Sequence, residues 1–82
     1  MSTFERLRDL LHEDFEVPRD ALTREARLED LEIDSLRLIE IVFSVEDAFK
    51  ISVPAEQSEL RAKLATFGDL VDYIDSLVRE KG

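Results

Sequence analysis

Apolar residues recur at intervals of three and four in three separate segments of this chain, and this spacing restricts the fold more than any other feature. It places the apolar side chains of each segment on one face of an α-helix. We therefore predict helices over residues 3–16, 35–49 and 67–81. A shorter helix is predicted over residues 58–64, where two leucines are four apart.

Capping residues mark the start of each longer predicted helix. Ser2 with Glu5, and Thr66 with Asp69, have the spacing of a capping box, in which each side chain accepts a hydrogen bond from the backbone of the other residue. Asp34 precedes the second helix and can accept hydrogen bonds from the free amide groups of its first turn. The sequence therefore predicts where each of these helices begins.

No sustained period runs from Val17 to Ile33, and Pro18 ends the first helix because the residue before a proline avoids the helical conformation. We predict a long loop with one short helical turn over residues 20–22. A loop of this length in a small domain is often functional. Its scattered apolar side chains are expected to hold it against the core: Val17, Leu22, Leu28 and Leu31.

Length and composition complete the prediction of the fold class. The 82 residues suffice for one domain with a modest core, and the chain has only two glycines and two prolines. No segment alternates convincingly as a strand does. The prediction is a single all-α domain over residues 1–82, a small four-helix bundle with three longer helices, one short helix and a long loop between the first two.

Charge and composition restrict the partners. The net charge of −9 disfavours nucleic acid and anionic membrane surfaces, and it favours partners with basic patches. The chain has no cysteine, which excludes disulfides, thiol nucleophiles and thiolate metal sites. No apolar run reaches transmembrane length and the first residues lack a signal-peptide pattern, so we expect a cytoplasmic monomer that does not insert into membranes.

The second predicted helix carries too many apolar residues for one face. At about 100° per residue, six of them fall on the side expected to face the core: Leu38, Ile41, Val42, Val45, Ala48 and Phe49. Three others fall on the opposite side, beside Ser35: Leu36, Ile39 and Phe43. Exposed apolar patches usually mark contact sites, so we predict a docking surface. The alternatives are that a loop folds over the patch or that the bundle buries both faces of the helix.

Acidic residues surround that patch. Residues 28–47 contain seven acidic residues against one basic residue, Arg37, which gives a net charge of −6. Such a surface would bind basic partners rapidly, with an affinity that falls as salt is added. The alternative is that the acidic residues simply form a solvated helix face.

Neither a catalytic site nor a metal site is predicted. A hydrolytic triad would need Ser35, an acid and the single histidine, His12, but Asp34 adjoins the serine and is placed to cap the helix. The acidic run over residues 29–34 lacks the alternating ligands, central glycine and terminal glutamate of a calcium-binding loop.

Nearly the whole chain resembles the acyl carrier proteins. Leu31, Asp34, Ser35 and Leu36 fit the attachment motif of that family, Gly-x-Asp-Ser-Leu, with Glu32 in the place of its glycine. Further matches follow along the chain: Ile39-Glu40-Ile41-Val42, Glu46-Asp47-Ala48-Phe49, Ile51-x-Val53-Pro54, Thr66-Phe67-x-Asp69-Leu70 and Val71-x-x-Ile74.

The resemblance implies a carrier and not an enzyme. A phosphopantetheinyl transferase would attach 4′-phosphopantetheine from coenzyme A to Ser35, between Asp34 and Leu36, and the terminal thiol of this group would hold acyl intermediates as thioesters. The partners would be acyl-transferring, ligase or synthase enzymes with basic docking patches, from fatty acid, polyketide or specialised lipid biosynthesis. The residues implied in docking are Leu36, Arg37, Ile39, Glu40, Phe43, Glu46 and Asp47.

The chain departs from the family pattern at two positions, and two alternative functions are also compatible with the sequence. Glu32 replaces the glycine, and Arg37 stands where members that make common fatty acids often carry an acid, which points to a specialised carrier. An aminoacyl or peptidyl carrier shares the same serine chemistry. An acidic helical adaptor would use the docking surface without any prosthetic group.

Overall fold

In the part of the chain that the structure describes, three α-helices and one short 3₁₀ turn have defined starts and ends. A computed structural model describes residues 2–53, 60 and 62–81. The helices are α1 (Thr3–Phe15), α2 (Ser35–Phe49) and α3 (Phe67–Lys81), with the 3₁₀ turn (Arg19–Ala21) in the loop between α1 and α2. This part of the chain contains no strand, only an isolated β-bridge that joins Arg27 to Thr66. The predicted all-helical class and the long loop between the first two helices are confirmed.

The predicted short helix falls largely in the interval before α3. Residues 60, 62 and 63 are helical, and residues 58, 59 and 61 lie outside the described part of the chain. Leu60 and Leu64 are both buried, as their spacing of four predicts.

Both predicted capping boxes are present. The Ser2 hydroxyl accepts a hydrogen bond from the Glu5 backbone N–H at 3.1 Å, and the Glu5 carboxylate accepts one from the Ser2 backbone N–H. At α3 the Thr66 hydroxyl accepts from the Asp69 backbone N–H at 3.1 Å. The Asp69 carboxylate in turn accepts from the backbone N–H groups of Ala65 and Thr66. The chain therefore satisfies the free amide groups at these two helix starts with its own side chains.

Left-handed residues terminate the first two helices. α1 ends at Phe15 because Glu16 adopts φ 58°, and α2 ends at Phe49 because Lys50 adopts φ 56°. In each case the turn is closed by a backbone hydrogen bond back into the helix. The first helix is thus one residue shorter than predicted, and Pro18 lies two residues after the left-handed Glu16.

One hydrophobic core joins the three helices and the loop. Val17, Leu22, Leu28 and Ile33 of the loop are buried, and Leu31 packs against the core half-buried. The prediction that apolar loop residues hold the loop against the core is therefore confirmed. The helices contribute the larger set: Leu7, Leu11, Leu38, Ile41, Val42, Val45, Phe49, Phe67, Leu70, Val71 and Ile74.

Backbone contacts fix the middle of the loop to the start of α3. The backbone N–H groups of Phe67 and Gly68 donate to the carbonyls of Ala26 and Arg24, at 2.8 and 3.0 Å. A Cβ atom at position 68 would lie 2.8 Å from the Arg24 carbonyl oxygen, so this close approach requires glycine. The loop is consequently tied to α3 by its backbone as well as by buried side chains.

Two arginines hold the opposite ends of α1 and α2 together. Arg6 donates to the Ala48 carbonyl at 3.2 Å, and its guanidinium lies 4.1 Å from the centre of the Phe49 ring. Arg37 donates to the Phe15 carbonyl at 3.0 Å, and its guanidinium lies 5.7 Å from the centre of the Phe15 ring. Each arginine thus satisfies a carbonyl in the last turn of the other helix, where positive charge is favoured. The start of each helix therefore lies at the end of the other.

Candidate functional site

Ser35 is the first residue of α2 and its side chain is exposed. The Asp34 carboxylate accepts a hydrogen bond from the Arg37 backbone N–H at 2.8 Å, which caps the helix as predicted. Within the described residues, no side chain forms a hydrogen bond with the Ser35 hydroxyl. The hydroxyl is therefore accessible at the electropositive end of a helix.

A tight turn immediately before the serine sets the direction of the chain. The Ile33 N–H donates to the Leu28 carbonyl at 3.0 Å, and the Glu32 N–H donates to the Glu29 carbonyl at 3.1 Å. This pair of bonds is a Schellman motif, whose penultimate residue adopts the left-handed conformation. Glu32 occupies that position with φ 60°. Because Leu28 and Ile33 are both buried, the turn is anchored to the core only two residues before Ser35.

The conformation of Glu32 explains what glycine would do at this position. A residue with a Cβ atom in the left-handed region is strained by about 1–2 kcal/mol, whereas glycine adopts it freely. The attachment motif has a glycine at this position of the sequence, and this chain forms the turn with a glutamate. The departure at position 32 is therefore accommodated by strain at that one residue.

An open cavity of about 340 Å³ lies beside the serine, lined by Glu29, Glu32, Ile33 and Asp34. Its three carboxylates give it an acidic rim. A phosphate on Ser35 would be attracted by the helix terminus and repelled by these acids. The helix dipole alone therefore does not explain why a phosphate would be placed on this serine. The accessibility of its hydroxyl after a hydrogen-bonded turn explains it better.

One outer stripe of α2 extends away from Ser35. At about 100° per residue, Leu36, Glu40, Phe43 and Asp47 lie within an arc of about 60°. Leu36 is 67% exposed and Phe43 is 62% exposed, and both acids between and beyond them are exposed. The prediction that Leu36 and Phe43 face solvent is confirmed. We call these four residues the outer stripe.

The other predicted docking residues lie on the flanks of the outer stripe. Ile39 is half-buried, so only part of it faces solvent. Glu46 is also half-buried, and its carboxylate accepts a hydrogen bond from the Val53 backbone N–H at 2.9 Å, which fixes the segment after α2. Ala48, predicted to face the core, is exposed; that prediction was wrong because, at about 100° per residue, Ala48 lies just outside the arc formed by the buried residues of α2.

Sequence reasoning missed two features of the site. The first is the left-handed conformation of Glu32, for which the glycine of the attachment motif was the available signal. The second is the contact of Arg37 with Phe15, which joins residues 22 positions apart. No local sequence pattern predicts a contact between residues so far apart in the chain.

The single histidine contacts the loop after α1 and forms no hydrogen bond with the serine. His12 is half-buried near the end of α1, and its Nδ1 lies 2.9 Å from the Val17 carbonyl oxygen, which fixes the start of the loop. Among the residues that the structure describes, no group of His, Cys, Asp or Glu side chains is arranged to hold a metal ion. None of the described helices is both long and apolar enough to cross a membrane.

Comparison with known proteins points to one family. The model of the family described as "phosphopantetheine attachment site" matches residues 5–74. The chain is similar to the acyl carrier protein of Lactobacillus acidophilus, with 36% identity over 74 residues that cover 89% of each chain. It is 36% identical to the acyl carrier protein of Campylobacter fetus over 78 residues, 94% of this chain and 97% of that one. The acyl carrier protein of Campylobacter hominis is 37% identical over 82 residues, 99% of this chain and 100% of its own length.

Proposed function

This chain belongs to the acyl carrier protein family, and we propose that Ser35 is the residue to which its 4′-phosphopantetheine is attached. The protein is a carrier of acyl groups and not an enzyme. The prosthetic group supplies the thiol on which acyl groups are held as thioesters, which the cysteine-free chain cannot supply itself. An adaptor without a prosthetic group and an aminoacyl carrier are not favoured by these relatives.

The observation that carries the assignment to Ser35 is its accessible hydroxyl at a hydrogen-bonded corner of the fold. The corner is fixed on one side by the Schellman turn at Glu32 and on the other by the Asp34 cap. A phosphate there gains roughly 0.3–1 kcal/mol from the helix terminus. A transferase can therefore reach the hydroxyl without unfolding any part of the core.

The outer stripe of α2 supports the second part of the proposal, which concerns partners. Acyl carrier proteins interact with the enzymes of fatty acid synthesis. We infer that a phosphopantetheinyl transferase and the acyl-transferring, ligase or synthase enzymes dock with basic patches against Glu40 and Asp47, with Leu36 and Phe43 as apolar anchors. A monomeric, cytoplasmic carrier domain over residues 1–82 is part of the same proposal.

The experiment compares two serines of the same helix. The apo protein is incubated with coenzyme A and a broad-specificity phosphopantetheinyl transferase, and its intact mass is measured. Wild type and Ser44→Ala are expected to gain the mass of one phosphopantetheinyl group, because Ser44 is half-buried in the third turn of α2. Ser35→Ala is expected to gain none. Modification of Ser35→Ala, or no modification of wild type, contradicts the proposal.

A further inference from the structure

Arg37 is a single positive charge within the acidic surface of α2. It is the one basic residue of the stretch 28–47, it lies two residues after Ser35, and its side chain is exposed. The structure also shows that its guanidinium is held in place, by the Phe15 carbonyl at 3.0 Å and by the Phe15 ring at 5.7 Å. An enzyme that reaches Ser35 while docked on the outer stripe would meet this charge.

We propose that Arg37 is a specificity-determining residue of the docking surface, which disfavours partner enzymes whose patch is basic throughout and favours those that place a carboxylate opposite the start of α2. This inference rests on the proposed function. It adds that one partner group must be acidic, although the remainder of the docking patch is basic.

The geometry of the guanidinium supports a selective role. It presents five N–H donors in a planar fork, and the Phe15 carbonyl occupies part of that fork. The remaining donors match the two oxygens of a carboxylate. Because Phe15 already holds the side chain, less rotamer entropy is lost when a partner binds it.

Charge supplies the discrimination. A partner lysine or arginine opposite Arg37 would be repelled, since the juxtaposition of like charges in an interface is costly. The repulsion acts over about 8–10 Å at ordinary ionic strength and vanishes in concentrated salt. The surrounding acids attract the same basic partner, so Arg37 sets which basic surfaces are accepted without abolishing docking.

Arg6 provides a matched control. It makes the same kind of contact at the other end of the α1–α2 pair, with the Ala48 carbonyl and the Phe49 ring. It therefore shares the structural role of Arg37 but belongs to α1 and lies away from Ser35. A structural loss would appear in both variants, whereas a change in docking would appear at Arg37 alone.

The test measures steady-state kinetics of phosphopantetheine transfer by a transferase whose carrier-binding surface is known to be basic. Arg37→Glu is expected to lower KM by about three- to tenfold with kcat unchanged. Arg6→Glu is expected to leave KM unchanged, and Phe43→Asp, as a positive control for docking, to raise it. In about 0.5 M NaCl the effect of Arg37→Glu should disappear. Thermal unfolding of the Arg37 and Arg6 variants gives their structural cost separately.

A charge swap completes the experiment. A transferase variant in which one docking lysine next to the carrier serine is replaced by glutamate is expected to prefer wild type over Arg37→Glu. An unchanged KM for Arg37→Glu, or an equal change for Arg6→Glu, overturns the inference while transfer to Ser35 still stands. Failure of wild type to accept the group at all overturns the proposed function instead.

Discussion

At the residue scale, the left-handed backbone conformation of Glu32 has the greatest influence on the turn that precedes Ser35. Among the described residues, three that are not glycine have positive φ angles, Glu16, Glu32 and Lys50, and each closes a helical turn. Only Glu32 lies beside the serine, where its strain is borne by a turn anchored by buried Leu28 and Ile33. The chain therefore forms this turn with a glutamate at a cost in stability.

This strain predicts that Glu32→Gly stabilises the protein. Relief of the left-handed strain exceeds the extra unfolded-state entropy of glycine, so we expect a net gain of about 0.5–1 kcal/mol in the free energy of unfolding. For a domain of this size the gain corresponds to a thermal midpoint roughly 2–8 °C higher. Glu32→Ala is the control, since it removes the same charge but keeps the Cβ atom and the strain.

Thermal unfolding of the two variants followed by circular dichroism gives the answer. A midpoint for Glu32→Gly at or below that of Glu32→Ala would show that glutamate is not strained there. A rise in both variants would assign the effect to the lost charge.

At the element scale, the three helix starts and the ends of α2 and α3 lie at the predicted residues, whereas α1 ends one residue earlier than predicted. The starts of α1, α2 and α3 follow from capping residues, which act on the amide groups next to them in sequence. The ends of α1 and α2 depend on Glu16 and Lys50 in the left-handed conformation, which such residues rarely adopt. The left-handed conformation of these two residues was therefore not predicted, although the end of α2 at Phe49 was.

The cap of α3 predicts an acid-sensitive contribution to stability. Hydrogen bonds from the backbone N–H groups of Ala65 and Thr66 hold the pKa of the Asp69 carboxyl below its ordinary value of 3.8. Because the pKa is lowered on folding, the charged carboxylate stabilises the protein above the ordinary value. This stabilisation is lost as the pH falls through the lowered pKa.

Asp69→Asn tests this cap. The difference in stability between wild type and Asp69→Asn is expected to be full at about pH 6 and to shrink steadily from about pH 5 towards about pH 2. Denaturant unfolding of both proteins across this range measures the difference, and the other acidic residues cancel in the comparison. A difference that stays constant with pH would mean that the charge of Asp69 does not contribute.

At the scale of the whole molecule, the features that could not be predicted from the sequence are contacts between segments far apart in the chain. The core faces of the helices follow from their periodicity, and so does the exposure of Leu36 and Phe43. The arginine contacts at the two ends of the α1–α2 pair do not, because Arg6 and Ala48 are 42 residues apart. The same holds for the loop backbone, which requires Gly68 only because Arg24 approaches it.

These long-range contacts bear on the candidate site as well as on the fold. The sequence predicted Ser35, its cap and the outer stripe, all of which depend on neighbours within one helix. Glu46 and Arg37 were expected to dock partners, and the structure shows that each also makes an internal contact, Glu46 with Val53 and Arg37 with Phe15. The proposed docking surface is therefore partly built by residues that also hold the bundle together.

The central claim is that acyl groups are carried through Ser35, and thioester loading tests it most directly. The phosphopantetheinylated protein is incubated with a broad-specificity acyl ligase, ATP and a saturated fatty acid, then weighed intact before and after treatment with hydroxylamine, which cleaves thioesters. Wild type and Ser44→Ala are expected to gain one acyl group that hydroxylamine removes while the arm remains, and Ser35→Ala to gain none. An acyl group on Ser35→Ala, or one that resists hydroxylamine on wild type, would contradict the account.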